Sequence, residues 1–192
     1  MMSKKLILLI GSPGSGKTTD ANYIAKKHQK EITSYSTGEL IKEEILKETG
    51  IGRIAKYYVD SGLLVPSSIV IDVILTAIHN APTHMVILDG FPRKVKQLNI
   101  FGDILFHTQN IDVVSIIEVK VNEETAKKRF LKSHGTEETF ERRLKSYNSF
   151  LSEIEDRCKT YKKDIFHVID GEEELETVIE EIDKLLHHYI AL

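Results

Sequence analysis

Along the chain, short runs of consecutive apolar residues alternate with longer stretches in which apolar positions recur every three or four residues. The first pattern is that of strands buried on both faces of a parallel sheet, the second that of helices with one face to the core. Leu6–Ile10, Met85–Leu88 and the β-branched run Val113–Val121 predict strands, with shorter ones at Ile32–Ser36 and Ile165–Ile169. Helices are predicted from Lys17 to about Lys27, Gly38 to Glu48, Gly50 to Asp60, Pro66 to about His79, Lys94 to about Phe106, Glu123 to Leu131, Glu137 to Tyr161 and Leu175 to Tyr189. Pro66 suits the first helical position and Asn122 an N-cap. Phe140, Leu144, Tyr147, Leu151 and Ile154 form one stripe on the long helix. The acidic run Glu172–Glu174 is placed at the start of the last helix, where negative charge suits the dipole. Strands separated by helices imply right-handed β–α–β units, hence an α/β fold with helices on both faces of a parallel sheet. No repeat, low-complexity tract or linker divides the chain, so residues 1–192 read as a single domain.

Composition narrows the classes. Of 192 residues, 41% are hydrophobic and 29% charged, which fits one domain with a full core and excludes a disordered chain. A formal net charge of −3 gives no electrostatic case for non-specific nucleic-acid binding. Lys4 and Lys5 before an apolar run have the outline of a signal peptide, but the run stops at Gly11. It is also far too short to cross a bilayer, so no membrane association and a cytoplasmic location are expected. The single cysteine, Cys158, excludes an intramolecular disulfide and a multi-cysteine zinc site, and reads as incidental. His187 and His188 are helical neighbours that point apart, and are placed on the surface.

The strongest chemical signal is Gly11-Ser12-Pro13-Gly14-Ser15-Gly16-Lys17-Thr18, a full match to G-x-x-x-x-G-K-[ST] between a predicted strand and a predicted helix. The glycines let the backbone wrap phosphate oxygens, and the N–H groups and helix N-terminus supply positive potential. Lys17 is placed on the β- and γ-phosphates and the Thr18 hydroxyl on Mg²⁺. The motif says phosphate binding; it does not distinguish kinase, hydrolase or switch.

A second strand runs into Asp89-Gly90-Phe91-Pro92-Arg93. A carboxylate at a buried strand end is costly without a cation or donors, and suits the Mg²⁺ side of a phosphate-loop enzyme. Arg93 then stands at the sheet edge where ligands of open α/β sheets bind, with a fork fitted to phosphate. The competing reading is a structural Asp–Arg pair at a turn.

Taken together these residues resemble the adenylate kinase family of nucleoside monophosphate kinases, over nearly the whole chain and in order. The phosphate loop is followed by Ser36-Thr37-Gly38-Glu39-Leu40-Ile41-Lys42, Gly62-Leu63-Leu64-Val65-Pro66, Asp89 to Arg93 with Gln97, Arg129, and Arg142-Arg143-Leu144. The resemblance implies a three-layer α/β/α sandwich, a five-stranded parallel sheet in the order 2-3-1-4-5, and a monomer. It implies Mg²⁺-dependent reversible transfer of the ATP γ-phosphate to AMP, giving two ADP. The ATP site would comprise residues 11–18 with Thr19 and Arg129, the arginine resembling one that stacks on adenine. AMP would lie under a helical insertion at residues 36–65. Thr37 and Gly38 would sit beside base and ribose, Val65 would meet the base, and Gln97 would bind the adenine edge. Lys42, Gly90 and Arg93 would complete that site. Lys17, Arg93 and Arg143 would neutralise the transferring phosphate, with Arg143 also facing AMP. Thr18 and Asp89 would serve Mg²⁺ largely through water.

The chain departs from the family twice. Lys42 stands where an arginine is usual, keeping charge but losing the bidentate fork, so weaker AMP binding is expected. The lid is reduced to residues 131–136, with no Arg or Asp between Arg129 and Arg142; Lys132 and His134 are the cations left there. Loss of one transition-state donor costs about 100- to 1,000-fold in kcat, so reduced activity is expected. A non-catalytic or weakly hydrolytic nucleotide-binding protein, and a kinase for CMP or UMP, remain the alternatives.

Overall fold

The computed structural model describes residues 3–61, 63–108, 110–133, 135–161 and 163–190, with the side chains of 158–161 and 163 left aside. The expectations on Gly62, on His134 and on the Cys158 side chain therefore lie outside the described residues.

Five strands form one parallel sheet: β1 (Lys4–Ile10), β2 (Ile32–Ser36), β3 (Met85–Asp89), β4 (Ile111–Lys120) and β5 (Phe166–Asp170), in the order β2-β3-β1-β4-β5. This is the order the family resemblance implied. The central strand β1 is apolar from Leu6 to Ile10 because both of its faces are covered. Leu6, Leu8 and Ile10 face one core with Val86, Leu88, Phe91 and Phe101. Ile7 and Leu9 face the other with Ile87, Ile117 and Val119. Each fully buried aliphatic or aromatic side chain contributes about 1.5–3 kcal/mol of transfer energy, which is why the sheet's centre forms the rigid frame.

Among the described residues eight helices connect the strands: α1 (Lys17–Lys27), α2 (Thr37–Leu46), α3 (Gly50–Asp60), α4 (Ser67–Asn80), α5 (Val95–Thr108), α6 (Glu123–Lys132), α7 (Glu137–Tyr161) and α8 (Leu175–Ile190). The side chains of α1 and α8 cover one face, those of α4, α5 and α7 the other. The α7 stripe packs as its spacing predicts, with Phe140, Tyr147 and Ile154 buried. Asn122 caps α6, its Oδ1 accepting from Thr125 N at 2.8 Å.

Three local expectations need correction. Pro66 lies one residue outside α4: its φ of −53° and ψ of 140° are extended, and its carbonyl accepts from Val70 N. It is the cap and Ser67 the first helical residue. Ile165 belongs to a short 3-10 turn and β5 starts at Phe166. Only the end of the acidic run opens the last helix, where the Glu174 carbonyl, just before Leu175, accepts from Val178 N. Glu172 instead accepts from Asn122 N at 2.7 Å and Thr125 Oγ1 at 3.0 Å, serving the N-terminus of α6.

Because all five strands are parallel, their C-terminal ends share one edge. There β1 passes into Gly11, β2 into Thr37, β3 into Gly90 and β5 into Gly171. Among the described residues no helix is long and apolar enough to cross a membrane.

Candidate active site

The loop from Gly11 to Lys17 leaves β1 at its buried end and turns directly into α1. Gly14 and Gly16 have φ of 85° and 101°, values that side chains strain to adopt. A Cβ on Gly14 would also lie 2.1 Å from the Ala126 carbonyl, so the loop sits directly against α6. Ser12 Oγ and Ser15 Oγ are buried without partners, polar groups turned into the loop and left for a ligand or water. Lys17 Nζ donates to Ser12 O at 3.1 Å, folded over the loop. Burial lowers its pKa, with Arg93 and Arg143 pushing the same way and Asp89 and Asp20 against it.

β3 delivers Asp89 to the mouth of this loop. Its Oδ2 accepts from Thr18 Oγ1 at 2.5 Å, while Oδ1 is buried with no partner. Gly90 N donates to Leu9 O, fixing the turn to the central strand, and the Phe91–Pro92 peptide is cis. Arg93 Nε donates to Gly90 O at 2.7 Å, which points the guanidinium back over the strand end. Its pKa is lowered by desolvation in the cleft and by Arg143, opposed by Asp89, though the side chain keeps a face to solvent at the cleft's mouth. Lys17 and Arg93 both feel the charge of Arg143, so the fold holds cations from α1, the β3 exit and α7 within electrostatic reach of one another against their repulsion.

The residues expected around AMP lie on the β2 side of this cluster. Thr37 Oγ1 donates to Asp89 O at 3.1 Å, and a Cβ on Gly38 would lie 4.0 Å from Arg93 Nη2. Gln97 is buried, with Oε1 accepting from Arg93 N at 2.7 Å. That bond ties the amide oxygen to the chain itself. Val65 is half-buried before α4, and Lys42 is exposed on α2.

On the other side, an open cavity of about 590 Å³ runs from the loop past Arg129 to Gly171, Glu173 and Leu175. Arg129 Nη1 donates to Gly171 O at 3.0 Å, so the arginine lines a slot between α6 and the β5–α8 loop. Sequence reasoning missed Gly171, Glu173, Leu175 and Asp20 as cavity residues. Asp20 is the most telling: it is buried, its Oδ2 has no partner, and its pKa is raised to about 6. Desolvation drives that rise, with Asp89 adding to it and Arg129 and Lys17 opposing it. A signal was available, since Asp20 falls on the buried stripe of α1 with Ala21 and Ile24.

A phosphate loop at the edge of this sheet, with a carboxylate and three cations around it, defines a nucleotide-binding protein of the phosphate-loop class. The adenylate kinase family model matches residues 9–174. The adenylate kinase of Sulfurovum sp. (strain NBC37-1) is 40% identical, over 95% of this chain and 98% of its own. Those of Nautilia profundicola and Campylobacter lari are 41% and 38% identical, over 95% and 97% of this chain and 96% and 99% of theirs. The chain belongs to the adenylate kinase family, and is a phosphotransferase of the nucleotide- and ATP-binding kind.

Proposed function

We propose that the protein transfers the terminal phosphoryl group of ATP to AMP, giving two ADP, and works as a cytoplasmic monomer. The observation that carries the reading is the convergence of Lys17, Arg93 and Arg143 between the Arg129 cavity and the Thr37–Gly38 corner. ATP would lie in the cavity with its phosphates on residues 11–19, and AMP below α2 and α3 with its phosphate on Arg93. Both phosphates then meet at the three cations.

Mg²⁺ fits the residues present. Thr18 Oγ1 and Asp89 Oδ2 are bonded to each other, and Asp89 Oδ1 is a buried oxygen without a donor. Hard oxygen groups of this kind suit that cation, directly or through water. Bound there, it would neutralise β- and γ-phosphate charge. An AMP phosphate oxygen attacks the γ-phosphorus as the bond to the ADP oxygen breaks, with no covalent bond to the protein. Lys17 meets charge on the donor phosphates, Arg93 orients the attacking phosphate, and Arg143 neutralises the group in flight. Gln97 and Thr37 favour adenine in the acceptor pocket.

The test is ADP formation from ATP, Mg²⁺ and AMP, with CMP, UMP and no-acceptor controls. AMP-dependent ADP formation is expected. Faster turnover with CMP or UMP would move the acceptor assignment. ADP without acceptor would make the protein a hydrolase, and ATP binding without turnover a nucleotide-binding module.

A further inference from the structure

Between α6 and α7 the chain turns within a few residues, and the turn is built around one ring. The Phe130 carbonyl accepts from Ser133 N, Ser133 Oγ and Gly135 N at 3.1, 2.8 and 3.3 Å. The Phe130 ring is buried against Phe140, 5.6 Å between centroids, in a small core with Ala126 and Leu144. A Cβ on Gly135 would fall 2.1 Å from Phe130 Cε1, so the turn's backbone lies on the ring as only a glycine allows. Lys127 and Glu137 pair across the outside of the corner. Thr136 closes it by accepting from Thr139 N at its hydroxyl and from Phe140 N at its carbonyl.

The ring makes one more contact, which core packing does not require. The Arg143 guanidinium carbon stands 5.6 Å from the Phe130 centroid, within range of a cation–π interaction. Arg143 itself is exposed, and it is the arginine whose charge reaches Lys17 and Arg93. An exposed arginine on a helix samples many rotamers; an aromatic face beneath it favours one by about twofold to fivefold.

We propose that Phe130 is a positioning residue for phosphoryl transfer, a fixed aromatic shelf that holds the Arg143 guanidinium toward Lys17 and Arg93 before nucleotides arrive. The shelf does by packing what a closing lid does by moving: it sets a cation where charge develops. This inference rests on the transfer role of Arg143 proposed above.

Four variants and one spectrum test it. Phe130→Leu keeps an apolar side chain and removes the π face; at saturating ATP and AMP it should lower kcat about fivefold, with both KM values held within about twofold. Phe130→Tyr restores the face and should return kcat to the wild-type level. Phe140→Leu loosens the same small core but leaves the π face under Arg143, and should lower Tm about as far as Phe130→Leu does while lowering kcat less. Wild-type kcat in a folded Phe130→Leu would overturn the proposal. So would equal losses in Phe130→Leu and Phe130→Tyr that track Tm. Arg143→Ala separates the two levels. If it leaves kcat unchanged, the role of Arg143 itself falls; if it collapses kcat while Phe130→Leu does not, only the shelf falls. Should Phe130→Leu fail to fold, the wild-type proton spectrum decides. Ring current should shift the Arg143 side-chain resonances upfield, and random-coil positions there would overturn the shelf.

Discussion

The two sides of the active site are attached to the sheet in opposite ways. On the donor side, the phosphate loop presses on α6, Glu172 from the β5–α8 loop holds the start of α6, and Phe130 locks its end to α7. On the side proposed for AMP, α3 buries only Gly52 and Ala55 and leaves Ile54, Tyr57 and Val59 exposed, while Leu46 beside it is 81% exposed. A segment with so few buried apolar contacts opens at little cost, whereas one tied at both ends does not. The comparison teaches where motion resides in this kinase. With the described residues of the α6–α7 turn packed on Phe130, closure over the proposed phosphate site is expected from α2 and α3.

The sharpest way to break the comparison is to remove the cation on which both sides converge. Lys17→Ala should lower kcat at least about 100-fold, as losing one transition-state donor does, measured as ADP formation at saturating substrates. Hydrogen exchange measures the contrast directly. Amides of α3 should exchange at least about tenfold faster than those of α6 near Phe130, and AMP should slow α3 selectively. Equal protection of the two would refute the division.

The stiff side carries a cost that titration exposes. The Asp20 pKa of about 6 lies above its ordinary 3.8, so the folded chain holds that proton more tightly than the unfolded chain does. Stability is therefore greatest below about pH 4 as far as this group is concerned, and declines as pH rises toward 6. Asp20→Asn should stabilise the protein by about 1–2 kcal/mol at pH 7.5, an advantage that disappears by pH 4 in denaturant titrations. The smallest effect belongs to the loose side. Lys42→Arg restores a bidentate fork on the exposed face of α2 and should lower the AMP KM by about twofold to fivefold. An unchanged KM would mean that Lys42 does not meet AMP.

Much of this arrangement was legible in the chain because it depends on local pattern. Leu6–Ile10, a short apolar run stopped at Gly11, reads as a strand covered on both faces, and the glycine spacing with Lys17 and Thr18 predicts the loop that follows. Asp89 and Arg93 were legible because a charge ending an apolar run needs a partner. What escaped depends on pairing across the fold. Glu172 sits close to α8 in sequence, yet it bonds Asn122 and Thr125 some fifty residues earlier, through the adjacency of β4 and β5. Phe130 reads as one more apolar residue on α6 until the turn brings Phe140 against its ring and Arg143 over it. Pro66 was misplaced by one position because its fixed φ serves a cap as well as a first turn.

The contact between Gly14 and the Ala126 carbonyl bears on how such a protein can change over generations. Any side chain at position 14 would push α6 away, and any drift of α6 toward the sheet would crush the loop. Loop and helix are therefore tied to one another, and a change confined to the turn after α6 leaves that contact undisturbed. A longer segment between α6 and α7 would be the easiest addition to accept.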